Sequence, residues 1–141
     1  MSILRWFFSF HGRVGRRVFI TGNLILGALF SLIGWAQILV IKSVHTQTEL
    51  LLLTLIPIVI YTFSWLSLAV KRLHDLGRSG FWALGVAFVV FPCKYIGFRL
   101  VPSNAALLQV ISWIILFIFF AVLSVYPGEE KDNAYGPAHA R

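Results

Sequence analysis

Ten consecutive residues concentrate the chemistry of this chain: Lys71, Arg72, Leu73, His74, Asp75, Leu76, Gly77, Arg78, Ser79 and Gly80. A histidine titrates near neutrality, and a carboxylate beside it could steady the ring while it takes or gives a proton. His74 and Asp75 are therefore the candidates for acid–base work. Adjacent residues on a helix point apart, however, and catalysis needs further positioned groups, so a histidine held in place by a carboxylate or a carbonyl is the simpler expectation. The cations of the same stretch point to anions. Lys71 and Arg72 follow an apolar run and suit a helix C-terminus. Arg78 precedes the next run, as Arg16 and Arg17 precede the first, and a cation at a helix N-terminus needs an anion nearby. Ser79 is placed to cap that next helix, with free backbone N–H groups beside Arg78, which together make an anion site.

The elements that must position these groups are membrane spans. Hydrophobic residues make up 59% of the 141 and charged residues 12%, against about 25% charged in soluble domains. Uncharged runs predict an all-α, polytopic membrane protein with four transmembrane helices, at about 18–41, 50–70, 80–98 and 105–126, in a single membrane domain covering 1–141. Between the second and third lies a basic loop, 71–79, and after the fourth a polar tail, 127–141. Pro57 predicts a kink in the second span and Pro92 a bend in the third. The third crosses fully only if Lys94 snorkels to the interface, with a re-entrant segment as the alternative. Ile3 to Phe10 mixes aromatics with Arg5 and suits a short interfacial segment, and the run that follows is too long for a cleaved leader. With four spans, nine Lys and Arg fall on one side and three on the other. The positive-inside rule then puts both termini of this multi-pass chain in the cytoplasm.

Several classes of function lose support. The net charge is +7, but the basic residues flank apolar runs, so they suit anionic lipid and no nucleic acid is expected. Cys93 is the single cysteine and reads as a packing residue. His11, His74, Asp75 and His139 lack the spacing of a metal site, and with no phosphate loop, dinucleotide fingerprint or nucleophile elbow no cofactor is expected. Apart from Lys94 the spans carry no ionisable group, which leaves a transporter or pore little to work with. Asn23 and Gln37 in the first span are expected to bond a neighbouring helix.

Three motifs give the chain a family resemblance. They are Phe10, Gly12, Arg13, Arg16 and Phe19 near the N-terminus, Arg72 to Asp75 with Gly77 to Gly80 and Trp82 in the middle, and Gly128, Asn133, Tyr135, Gly136 and Pro137 in the tail. In this pattern the chain resembles the bacterial membrane proteins grouped as domain of unknown function 805. Two departures are Ile20, where an aromatic is common, and a longer, more basic 94–104 region. The resemblance implies a bacterial inner-membrane protein and no particular activity. All three motifs fall on the side the charges assign to the cytoplasm. The reading favoured is a non-enzymatic module binding anionic lipid, or a protein partner or second copy, at that face. Arg13, Arg16, Arg17, Arg72, Arg78 and Ser79 would hold the anion, Asp75 and Asn133 would order the arginines and the tail, and Gly12, Gly77, Gly80 and Gly136 would permit tight turns. The rivals are a membrane enzyme acting on a lipid headgroup or lipid-linked substrate through His74, and a small transporter or pore.

Overall fold

A computed structural model describes residues 7–41, 46–100 and 105–137, without the side chains of 47, 91–100 and 105. The expectations for Arg5, Cys93, Lys94, Arg99 and His139 lie outside the described side chains. Among the described residues four long helices follow in order: α1 (Arg16–Val40), α2 (Gln47–Asp75), α3 (Phe81–Leu100) and α4 (Ala105–Val125). α1, α2 and α4 are each long and apolar enough to cross a membrane. α3 is 20 residues and continuous through Pro92, or about 30 Å, one hydrocarbon thickness. Because α4 ends against the same groups that flank the start of α3, whatever depth α3 traverses α4 retraces.

Exposure in this fold is inverted relative to a soluble protein. Leu24 is 68% exposed, Trp35 72% and Phe117 71%, while Arg72 is 0% and Arg13 7% exposed. Apolar side chains facing outward along whole helices, with cations packed inside at one end, are what a bilayer solvent selects. The packed core sits at that end: Phe19, Leu68, Ala69, Leu73, Ala83 and Leu123 meet there. Phe8 stacks on Phe63 at 5.9 Å and Phe10 meets the same ring edge-on at 4.9 Å, which lays the N-terminal aromatic segment against α2.

α2 explains most of the architecture. It opens with a capping box, the Glu49 amide donating to Thr46 Oγ1 at 3.2 Å and the Thr46 amide to Glu49 Oε2 at 3.3 Å. It runs five residues into what the sequence suggests is a loop, so that Lys71 to Asp75 form its last turns and the connection to α3 shrinks to 76–80. A Schellman motif ends it: the Arg78 amide donates to Leu73 O at 2.8 Å and the Gly77 amide to His74 O at 3.1 Å, with Gly77 at φ +66°.

Pro57 lies inside α2 and cannot donate to Leu53 O, the carbonyl one turn before it. In hydrocarbon such an orphan is costly. Gln37 of α1 supplies the missing donor, its Nε2 bonding Leu53 O across the helix pair. Asn23 does not bridge helices as its type suggests. Its Nδ2 donates to Phe19 O in its own helix at 2.7 Å. Gln37→Leu is therefore expected to cost about 1 kcal/mol in the wild type and much less with Pro57→Ala, where Leu53 O regains a donor. A double-mutant cycle by unfolding in mixed micelles measures this, and equal costs in both backgrounds would refute the pairing.

Candidate functional site

The centre of the packed end is one carboxylate between two guanidiniums. Asp75 Oδ1 takes Arg13 at 3.1–3.2 Å, and Asp75 Oδ2 takes Arg72 Nη1. All three residues are buried. Two cations against one anion leave a positive surplus, and backbone carbonyls absorb it. Arg13 Nη2 donates to Glu129 O at 2.5 Å, and Arg13 Nη1 to Lys131 O at 2.9 Å and Gly136 O at 3.3 Å. Arg72 Nε donates to Leu123 O at 2.7 Å and Nη2 to Tyr126 O. Those last carbonyls are orphans of the α4 C-terminus, where the helix dipole also favours a cation. Arg16 Nη1 adds a long bond to Val125 O, 3.4 Å.

The tail in turn caps α2. The Glu129 amide donates to Asp75 O at 2.8 Å, and Asn133 Nδ2 to His74 O at 2.9 Å and to Glu129 Oε2 at 2.8 Å. A tight turn closes it, Asn133 and Gly136 exchanging backbone bonds at 3.1 and 3.2 Å, with the Tyr135 amide donating to Asn133 Oδ1 at 3.0 Å. Gly136 sits at φ +139°, which sets its carbonyl toward Arg13. At the N-terminal segment the Val14 amide donates to Lys71 O at 3.2 Å. Three stretches far apart in sequence are thus joined by Arg13, Arg72, Asp75 and Asn133.

Several sequence expectations change here. Arg13 and Arg72 do not present themselves to an external anion: both are buried, their anion is Asp75, and their guanidinium nitrogens otherwise donate to backbone carbonyls. His74 and Asp75 do not form a proton-transfer pair. Asp75 is taken by the arginines, while His74 Nδ1 donates to Gly12 O at 3.2 Å, a carbonyl being able only to accept, and the ring stacks flat on Tyr135 at 3.9 Å. Ser79 does act at the start of α3, its Oγ accepting from the Phe81 amide at 3.4 Å. The next amides are not free, however, since Trp82 donates to Ser79 O at 3.3 Å and Ala83 to Gly80 O at 3.0 Å. Gly80 lets α3 approach α2, a Cβ there falling 2.7 Å from Val70 Cγ1. Arg16, Arg17 and Arg78 stay exposed, and the side chains of Arg17 and Arg78 have no partner among the described residues. Trp82 and Pro137 are exposed as well. Among the described residues no three His, Cys, Asp or Glu side chains could hold a metal ion.

The roles of Glu129 and Gly128 and the stacking of His74 on Tyr135 are not expected from the sequence, although Gly128, His74 and Tyr135 all lie in its motifs. One signal was available. Asp75 is the only acid between Glu49 and Glu129, which makes it the candidate anion for arginines buried at this end. Beside the Arg13–Asp75–Arg72 cluster, which forms a lock between the three stretches, a groove of about 720 Å³ runs between α2 and α3, with Leu66, Val70 and Leu84 at one end and His11, His74 and Ser79 at the other.

These features define a polytopic helical membrane protein whose buried ion pairs are gathered at one end of the bundle. The chain belongs to the family described as Protein of unknown function (DUF805), whose model matches residues 7–137. Among Escherichia coli (strain K12) relatives, the Uncharacterized protein YiiR is 33% identical, covering 96% of this chain and 89% of its own. The Inner membrane protein YhaI is 31% identical over 96% and 90%, and the Inner membrane protein YhaH 26% over 97% and 92%. No solved structure matches the chain. It is an inner-membrane, multi-pass protein of a family without an assigned activity.

Proposed function

We propose that this protein is a non-enzymatic membrane module that binds anionic lipid through the exposed arginines of its packed end, a face that the Lys and Arg distribution assigns to the cytoplasm. The observation that carries the reading is the division among the cations. Arg13 and Arg72 are consumed internally, whereas Arg16, Arg17 and Arg78 are exposed, and each flanks the start of an apolar helix. Such positions lie at headgroup level, where each basic residue contributes about 1 kcal/mol toward an anionic surface. Three give a ceiling of about 3 kcal/mol, which the exposed acids Glu130 and Asp132 of the tail lower. The enzyme reading loses its acid–base pair, because Asp75 is bound to two arginines.

Native mass spectrometry of protein released in mild detergent tests this. Wild type is expected to retain anionic phospholipid, and the Arg16→Gln/Arg17→Gln/Arg78→Gln variant to bind it ten- to about a hundredfold more weakly. Equal retention by both, or a protein or second copy retained in place of lipid, would overturn the proposal.

A further inference from the structure

The groove beside the lock changes character along its length. Leu66 and Val70 lie about two and a half and one and a half turns inside α2, and Leu84 one turn inside α3. Half-buried Leu66 and buried Val70 line the inner side of this end, and exposed Leu84 opens it to the apolar outer surface of the bundle. From Leu66 to His74 is about 12 Å along the helix. The far end carries the His11 and His74 rings and the Ser79 hydroxyl, with Tyr135 of the tail over it and exposed Arg78 next in sequence to Ser79. No Asp or Glu lines the groove. Its volume falls in the range of about 300–1,000 Å³ that holds small molecules.

A soluble anion would use the basic end and leave the apolar end to water, while a cation would find no carboxylate. An amphiphile with an apolar chain and an anionic head satisfies both ends, and the bilayer supplies one at that depth. We infer that the groove seats one acyl chain of a single anionic phospholipid between Leu66, Val70 and Leu84, with its phosphate at His11, Ser79 and Arg78. This rests on the lipid-binding reading and gives it a stoichiometry of one and a place in the fold.

Titration of the detergent-solubilised protein with phosphatidylglycerol, followed by native mass spectrometry, separates the two claims. Leu84→Trp fills the apolar end without removing a cation. It is expected to weaken the first bound lipid by about tenfold or more, while Leu107→Trp, on an exposed part of α4, leaves it unchanged. In the wild type, affinity for short-chain phosphatidylglycerols should rise with chain length, and inorganic phosphate should not compete. Binding by Leu84→Trp at wild-type strength would overturn the groove. If the triple arginine variant still loses lipid in that case, the surface reading survives alone, and if neither variant changes, both fall. Should Leu84→Trp fail to fold, affinity independent of chain length in the wild type overturns the groove by itself.

Discussion

Asp75→Asn is expected to lower folding stability by about 3–5 kcal/mol, because it leaves two buried guanidiniums without their anion. That is a large part of the roughly 5–15 kcal/mol that holds an ordinary domain together. Losing one arginine alone should cost less, since Asp75 would keep the other. In many buried ion networks an apolar replacement of matched volume restores stability. Here it should not: Arg13→Met/Arg72→Met/Asp75→Leu would strip donors from Glu129 O, Lys131 O, Leu123 O and Tyr126 O at once. A carbonyl left bare away from water costs about 1–3 kcal/mol, in full at buried Leu123 O and in part at the half-buried others. Unfolding in mixed micelles gives the stability, and hydrogen exchange at the Glu129 amide, which bonds Asp75 O, reports release of the tail. An Asp75→Asn protein within about 1 kcal/mol of wild type, with that amide still protected, would show that the lock does not hold the fold.

The apolar helices were legible because a bilayer demands long uncharged runs, and the gathering of three motifs at one end followed from counting helices. The direction in which each arginine turns was not legible. Arg13 and Arg16 are one helical turn apart in sequence and of one type, yet Arg13 precedes α1 in extended chain and turns in, while Arg16 begins α1 and stays outside. That choice depends on the tail, more than a hundred residues away, whose carbonyls accept from Arg13. The end of α2 was misplaced for a related reason. Lys71 and Arg72 look like loop residues because cations are rarely buried, and only the α4 carbonyls and Asp75 make a buried arginine tolerable there. Pro57 read as a kink and Gln37 as a helix-bridging donor, but that the two answer each other requires the register of α1 against α2.

Gly128→Ala should be nearly as damaging as a change in the lock itself, and for a reason that distinguishes it from Gly77→Ala. A Cβ on residue 128 would overlap the Asp75 carboxylate, lying 2.7 Å from Cγ and 3.0 Å from Oδ1. Asp75 is gripped from both sides by Arg13 and Arg72 and cannot retreat, so the tail must lift and the bond from the Glu129 amide to Asp75 O must stretch. Overpacking of this kind costs about 2–3 kcal/mol. At Gly77 the neighbour is the Glu129 side chain, 2.6 Å away at Cδ, but Glu129 is exposed and can swing aside, giving up only its exposed bond from Asn133 Nδ2. What remains there is the strain of φ +66°, about 1 kcal/mol. Stability of the two variants, measured side by side, should rank Gly128→Ala as the more costly. The carboxylate is the cause if Gly128→Ala adds little once Asp75→Ala has cleared the space, so the double variant should fall well short of the sum of its parts. Additive costs, or a Gly128→Ala no worse than Gly77→Ala, would mean that the tail does not close on Asp75.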